Sequence, residues 1–260
     1  MLISILISNY NKEKFINNCL KSVYAQRYKN FEIILYDDNS TDNSLKAIKK
    51  FKKIKLLRNV EKKNIHPPLS QINSLINCFK KSKGKIICFL DSDDMFLKKK
   101  LETINTYFVK NKKKNFVVNY AENNNILQLH RFNYSLNKWP SIFPTSCISV
   151  RRDFFKQFMK FSKKKNFPNL EIDTRMTIFS CFYFDDFNII KKKLTNYIFD
   201  DQGISSKYQF LSLNWWLKRK EAYCYLKFIL KKKKKNFNKS LDYYVTVFIW
   251  YLIVFVKKLT

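Results

Sequence analysis

The chain is poor in glycine. Only two occur in 260 residues, at positions 84 and 203, which excludes a Gly-x-Gly-x-x-Gly dinucleotide fingerprint and a Gly-rich phosphate loop. Histidine is as scarce: His66 and His130 are too few and too isolated for a histidine metal centre or a nucleophile–histidine triad. The cysteines, at 19, 78, 88, 147, 181 and 224, are never closer than ten residues, so no metal knuckle is present. They read as reduced thiols of a cytoplasmic protein, and Cys88, inside an apolar run, as a small hydrophobe. Long hydrophobic runs are also missing. The apolar opening at residues 2–7 is far too short for a signal peptide. Tyr243–Val256 is fourteen residues with only Thr246 polar, short of the ~20 that span a bilayer.

Acidic residues are outnumbered, 20 against 51 Lys and Arg, for a net charge of +31. Lysine runs lie at 98–100, 112–114, 163–165, 191–193 and 231–235. Their dispersal reads as a solvated surface, whose field attracts anions: a phosphorylated donor, an acidic membrane leaflet or nucleic acid. Nucleic acid is not an expected partner, because no binding motif for it appears and clustered carboxylates repel its phosphates. With 46% hydrophobic residues, 25 Phe and 15 Tyr, the chain can fill one sizeable core and is not disordered.

Period and punctuation give an alternating order. Leu2–Ile7 reads as a buried strand, closed by Ser8-Asn9-Tyr10-Asn11, where Asn11 is expected to cap a helix carrying Glu13 in its first turn. Phe15, Cys19 or Leu20, and Val23 then recur at helical spacing. Phe31–Tyr36 is a second strand, ending in Asp37-Asp38-Asn39-Ser40-Thr41-Asp42, followed by a helix through Leu45, Ile48 and Phe51. Ile54–Leu57 is a short third strand. Pro67-Pro68 is expected to break the chain in a loop, with a helix from about Ser70 (Ile72, Leu75, Ile76, Phe79) and Gly84 as its stop. Lys85–Leu90 is the most apolar strand and runs into Asp91-Ser92-Asp93-Asp94. Beyond it, a helix is expected over 97–110, strands at 116–120 and 147–150, a turn at Asn123–Asn125, a helix at 152–161 and mixed helical periodicity over 171–184. Alternating strands and helices imply βαβ crossovers and a mostly parallel sheet flanked by helices. Three strands end in polar clusters, where open α/β sheets bind ligands.

Three carboxylates within Asp91–Asp94 repel one another unless a cation intervenes. Mg²⁺ and similar hard ions accept one or two carboxylates and complete their shell with substrate phosphates, stabilising a diphosphate as it leaves. The competing reading is a cap for the helix near residue 97. Asp37-Asp38 has the same ambiguity between an Asx-turn and a ribose or base contact.

Taken in order, these segments resemble the family 2 glycosyltransferases of the GT-A type. Ser4–Asn11 is similar to the family's first strand and its Tyr-Asn ending. Glu32–Asp42 is similar to its second strand and Asp-Asp-Gly-Ser-Thr-Asp signature, with Asn39 in place of Gly, tolerable because Asn accepts left-handed backbone. Gly84–Asp94 is similar to the strand entering the Asp-x-Asp motif. The likeness is strong over residues 2–110. It implies a GT-A Rossmann-like fold and an inverting, metal-dependent transferase using a nucleotide-sugar donor, with Mn²⁺ or Mg²⁺. The implied donor-binding residues are Ser8, Tyr10, Asn11, Asp38, Asn73, Asp91 and Ser92, with Asp38 accepting from a uracil-type ring. Asp93, Asp91 and Asp94 are the implied metal ligands. Asp173 is the candidate general base, Glu171 its competitor, and Arg175 a candidate partner of either. Departures are Ser8-Asn9 in place of a Pro-containing turn, and Ile72 where a diphosphate-binding Arg is frequent, so that another basic residue must help. Asp200–Ser205 resembles a segment near the active site of relatives. The implied acceptor is a glycan or lipid-linked glycan, in surface polysaccharide or lipid-linked glycan synthesis.

The expected organisation is a transferase domain at 1–225 and a basic, hydrophobic helical tail at 226–260. Residues 231–258 could dock on an anionic membrane surface, placing the protein in the cytoplasm or on the inner face of the membrane. The alternative is a packing helix for the domain or a subunit. The alternative for the whole chain is a basic nucleic-acid- or membrane-binding protein on an α/β scaffold without transferase activity.

Overall fold

The computed structural model describes residues 1–60, 66–122, 142–162, 167–201 and 203–259. The turn expected at Asn123–Asn125, the lysine run at 163–165 and His130 lie outside them. The elements alternate as expected at first: β1 (Ile3–Asn9), α1 (Ile16–Tyr24), β2 (Phe31–Asp37), α2 (Ser44–Ile48), β3 (Ile54–Arg58), α3 (Pro67–Lys81) and β4 (Ile86–Asp91). A two-residue β5 (Met95–Phe96) and α4 (Lys100–Lys110) follow, then β6 (Phe116–Glu122), a 3-10 turn (Thr145–Cys147), β7 (Ile148–Arg151) and α5 (Arg152–Ser162). The chain continues through α6 (Ile172–Phe179), a π turn (Ser180–Phe184), β8 (Ile189–Asn196), α7 (Leu213–Lys232) and α8 (Leu241–Leu259).

The strands form one eight-stranded sheet in the order β3-β2-β1-β4-β7-β6-β8-β5. The β3-β2-β1-β4 half is wholly parallel. β7 runs antiparallel to both β4 and β6, and β5 to β8, while β6 and β8 are parallel. β5 and β8 escape a periodicity reading. β5 is only two residues long, and β8 carries three exposed lysines where alternation should show.

Both faces of the sheet are covered, which is why its strands read as unbroken apolar runs. Ile3, Ile5 and Ile7 of β1 and Ile86, Cys88 and Leu90 of β4 pack with α1 and α4. Leu6, Ile87 and Phe89 face the opposite layer, built on α3, α5, α6 and α7. α7 continues unbroken through residues 225 and 226, and Tyr225, Leu226, Ile229 and Leu230 are buried in that second layer. All six cysteines are free thiols. No helix among the described residues is long and apolar enough to cross a membrane.

Two punctuation marks work differently from their expected roles. Pro67 and Pro68 open α3 rather than preceding it, because a proline at the first helical positions loses no hydrogen bond and already has helical φ. Gly84 is no left-handed helix stop, since neither glycine has positive φ and α3 ends at Lys81. It is needed for close approach: a Cβ there would sit 2.5 Å from the backbone nitrogen of Ser4. Its N–H donates to Ser4 Oγ at 2.8 Å and Glu32 Oε1 at 3.0 Å, pinning the start of β4 to β1 and β2.

Candidate active site

Strand register places the polar cluster. Asn9 lies opposite Asp37, and Ser8 opposite Asp91, so three adjacent parallel strands end level and form one shelf at the carboxyl edge of the sheet. Asp37 is fully buried and spent on the loop itself: it accepts from Asn9 Nδ2 at 2.8 Å, Ser40 Oγ at 2.6 Å and the Ser40 N–H at 3.1 Å. Asp38 is half-buried and accepts from Asn59 Nδ2 at 2.9 Å and from the Ser70 hydroxyl. Tyr10 is 57% exposed beside this shelf, a ring free to stack on a planar ligand. Asn39 takes the left-handed conformation (φ 62°) that its glycine-like position requires.

Asn11 does not cap α1, which begins five residues later. It adopts φ 49°, and its Oδ1 accepts the Thr41 N–H at 2.8 Å. Glu13 likewise accepts the Asn43 N–H at 2.8 Å instead of joining the helix. The two residues fasten the β1 loop to the β2 loop, because the neighbouring loop offers bare N–H groups closer than the helix does.

Asp91–Asp94 does not cap a helix either: α4 starts at Lys100, with Glu102 as the acid of its first turn. The Asp91 N–H donates to Ser146 Oγ at 2.9 Å, and its Oδ1 accepts from Gln71 Nε2 at 2.7 Å. Ser92 is buried. Asp94 is buried too; its Oδ1 accepts the Ile198 N–H at 2.9 Å, while Oδ2 has no partner. Asp93 receives the Lys12 ammonium at 2.6 Å, and the same ammonium pairs with Asp200. Burial, followed by the charges of Asp93 and Asp94, pushes the Asp91 carboxyl well above the usual range. Burial and the Asp93 charge push Asp94 up to about 7. Burial works against the Lys12 charge, yet the two carboxylates outweigh it and raise its pKa.

Across the shelf, Asp173 lies in the first turn of α6 and accepts from Thr174 Oγ1 at 3.1 Å. Burial and then Glu171 push its carboxyl up to about 7, with Lys218 pulling the other way. Its charge is felt at Asp91. Tyr197 joins the two sets, its phenol pushed up by burial and then by Asp94, Asp91, Asp93 and Asp173. Glu171 is paired with Lys218 and keeps one buried oxygen without a partner. Arg175 is a partner of neither carboxylate. Fully buried, it donates to the backbone carbonyls of Leu170 and Ser162, both at 2.9 Å, and of Phe167, the last of which also accepts the Leu170 N–H at 3.1 Å.

α3 reaches the strand-end carboxylates through Ser70 and Gln71. Asn73, expected in the donor site, is exposed, and Ile72 is buried. Among the described residues no three His, Cys, Asp or Glu side chains are gathered to hold a metal unaided. The set nevertheless fits a hard divalent ion completed by phosphate oxygens. Its donors are all oxygens, Asp94 Oδ2 is buried and unpartnered, and Asp93 already attracts a cation in Lys12. Lys12, Gln71, Ser146, Tyr197 and Lys218 are absent from the sequence expectation. One lysine among many carries no signal, and the others approach from elements whose placement depends on the sheet order.

Against known proteins, the model of the family described as Glycosyl transferase family 2 matches residues 4–188. An uncharacterized glycosyltransferase of Rickettsia conorii is 32% identical over 155 residues, 57% of this chain and 24% of its own length. The Escherichia coli UDP-Glc:alpha-D-GlcNAc-diphosphoundecaprenol beta-1,3-glucosyltransferase WfgD is 34% identical over 126 residues, 48% of this chain and 47% of its own. The chain thus spans about a quarter of the first relative's length and about half of the second's. Among solved structures, the mannosyltransferase PcManGT from Pyrobaculum calidifontis, in complex with GDP-Man and Mn²⁺, aligns with a TM-score of 0.64. The identity is 14%, over 91% of this chain and 65% of that one. This likeness shows the fold: a central α/β sheet flanked by helices, the GT-A architecture.

Proposed function

The chain belongs to glycosyl transferase family 2, and from that premise we propose that it moves a sugar from a nucleotide-diphosphate donor to an acceptor hydroxyl. The observation that carries the reading is the level ending of β1, β2 and β4, which gathers Ser8, Tyr10, Asp38, Asp91, Asp93 and Asp94 on one shelf, close enough to Asp173 for its charge to act on Asp91. Asp38 presents acceptor oxygens to a ring N–H of the base, and the exposed Tyr10 ring lies against its face. Uridine suits this pairing, because its N3–H is a donor; WfgD, by its name, uses a UDP-sugar.

Asp91, Asp93 and Asp94 would hold Mn²⁺ or Mg²⁺ together with the diphosphate. When bound, the cation supplies positive charge for the leaving group. Asp173 takes the proton of the acceptor hydroxyl as that oxygen bonds to the anomeric carbon. The bond from that carbon to the diphosphate breaks on the opposite face, so configuration inverts. A carboxyl held near 7 is well matched to proton abstraction at neutral pH. Glu171, tied to Lys218, is the poorer base and the better electrostatic neighbour. The boundary expected at 225/226 falls inside α7, whose Leu226, Ile229 and Leu230 are buried in the core, so we place the transferase unit through the end of α7, with α8 in the tail.

The acceptor we favour is a lipid-linked glycan at a membrane surface. On α8, Tyr244, Phe248, Tyr251 and Phe255 are each more than half exposed and recur at helical spacing, while residues 231–235 are exposed lysines. An apolar stripe beside a polybasic run suits an anionic leaflet. Sedimentation with phosphatidylglycerol vesicles should carry the protein down, and Phe248→Glu with Tyr251→Glu should leave it in solution. Equal sedimentation of both would remove the membrane from the reading.

The donor site is tested by calorimetric titration with UDP, with and without Mn²⁺, on the wild type and on Asp93→Ala. Metal-dependent binding lost in the variant is expected. Silence towards UDP, GDP and dTDP alike would sink the donor-site assignment.

A further inference from the structure

We propose that Lys12 is the residue that receives the donor's diphosphate, held ready between Asp93 and Asp200 until the nucleotide enters. The inference rests on the donor-site reading and adds to it the cation that the buried Ile72 cannot supply.

Among the described residues, three lysines interact with the carboxylates around the shelf. Lys100 is fully buried and donates to Asn119 Oδ1 at 2.9 Å, Ser146 O at 2.5 Å and Thr195 Oγ1 at 2.8 Å, so it cannot reach a ligand. Lys218 is committed to Glu171 beside the candidate base. Lys12 remains. It stands three residues beyond the end of β1, on the edge where ligands of such sheets bind. Its backbone is fixed: its N–H donates to Ser44 Oγ at 2.9 Å, and its carbonyl accepts from Phe15 and Ile16. Its side chain is about 15% exposed, as are those of its two partners. The ammonium is thus reachable, anchored at its root and free to swing at its tip.

Its partners explain why it waits. An ammonium has three donors and behaves as a compact point charge that binds phosphate as readily as carboxylate. Asp93 and Asp200 come from segments far apart in the chain, and Lys12 joins them, closing the residues after β8 onto the Asp-x-Asp loop. An entering diphosphate offers denser negative charge. Once Lys12 turns to it, Asp93 is released towards the divalent cation. Lys12 and the metal therefore compete for Asp93 when nucleotide is absent, and they act together when it is present. The exchange moves charges without making or breaking a covalent bond.

The test uses the full chain, UDP and Mn²⁺, with two readouts of opposite sign. By calorimetry with Mn²⁺ present, Lys12→Met should weaken UDP about tenfold or more, as loss of a charge-assisted phosphate contact does. Lys12→Arg should stay within a few-fold of wild type. By electron paramagnetic resonance without nucleotide, Lys12→Met should bind Mn²⁺ several-fold more tightly. Asp200→Asn keeps Lys12 but removes one competing anion, so it should bind UDP more tightly; this arm also guards against a Met variant that fails to fold. Wild-type UDP binding with Lys12→Met unchanged in both readouts, or Asp200→Asn no tighter, overturns the role of Lys12 and leaves the donor site standing. A wild type that binds no nucleotide overturns both.

Discussion

Replacing Glu171 by Gln should move the working pH of the enzyme downward. Burial first and the Glu171 charge second hold the Asp173 carboxyl near 7, against the pull of Lys218. A general base works only when deprotonated, so the rate should fall as pH drops through about 7. Two unit charges a few ångströms apart interact by about 3 kcal/mol at an effective dielectric of ~20, and a pKa unit corresponds to about 1.4 kcal/mol. Lys218 already offsets part of the Glu171 charge, which leaves a net shift on the order of one unit. The acid limb of kcat/KM should therefore sit about one pH unit lower in Glu171→Gln, whereas Lys218→Met should raise it. Asp173→Asn should lose about 10²- to 10⁴-fold in kcat while binding UDP as the wild type does. The assay is UDP release from the UDP-sugar that binding selects, followed from pH 5 to pH 9. An acid limb that stays put in Glu171→Gln, or an Asp173→Asn enzyme at wild-type rate, would refute Asp173 as the base.

The remaining predictions concern stability and recognition. Asp173 has a folded-state pKa above its unfolded value of 3.8, so its destabilising effect is absent well below that value and grows as pH rises towards 7; Asp173→Asn should raise Tm at pH 8 but hardly at all at about pH 3, by at most about 4 kcal/mol in stability. Gly84→Ala forces a Cβ against the Ser4 backbone and should cost about 3 kcal/mol, read as a lower urea midpoint. Arg175→Met removes the guanidinium donors from the carbonyls of Ser162 and Leu170, while Phe167 keeps the Leu170 N–H, and should cost about 3 kcal/mol, with residues 167–171 losing hydrogen-exchange protection. Asp38→Asn turns an acceptor partly into a donor and should weaken UDP about tenfold by calorimetry, with the loss much smaller for a nucleotide whose base presents no ring N–H there.

The parallel half of the sheet was legible because its strands are short, apolar and closed by turn residues, so period and punctuation agree from Ile3 to Asp91. Legibility fell where pairing replaced period. β8 is lysine-rich because it lies near the sheet edge, and β5 exists only because Met95 and Phe96 meet its far end. The position of the acidic cluster could be read from sequence, since it follows directly on an apolar strand, but the competing helix cap falls only with the start of α4 at Lys100. The functions of its neighbours could not. Asp37 and Asp38 are chemically identical in sequence, yet one is fully buried and held by Asn9 and Ser40 while the other is half-buried and held by Asn59 and Ser70. Arg175 is in register with the candidate base but turns inward to carbonyls that a sequence reading cannot locate. Asn73 and Gln71 differ by two positions on one helix, and that half-turn decides which of them reaches Asp91.

A chain of net charge +31 that keeps its carboxylates at a shared edge faces an electrostatic conflict. The lysine-rich surface draws an anionic donor from a distance, but the last few ångströms lead to Asp91, Asp93 and Asp94, where burial first and mutual repulsion second already raise the pKa values of Asp91 and Asp94. Long-range attraction is weakened by salt beyond about 8–10 Å, and partly buried contacts much less. Raising ionic strength should therefore slow nucleotide association more than it speeds dissociation. Removing the divalent ion should act on dissociation instead, because the short-range repulsion is then met by Lys12 alone. Stopped-flow measurement of UDP binding separates the two rates. Salt that changes only dissociation would mean that the lysines are no more than a solvated coat.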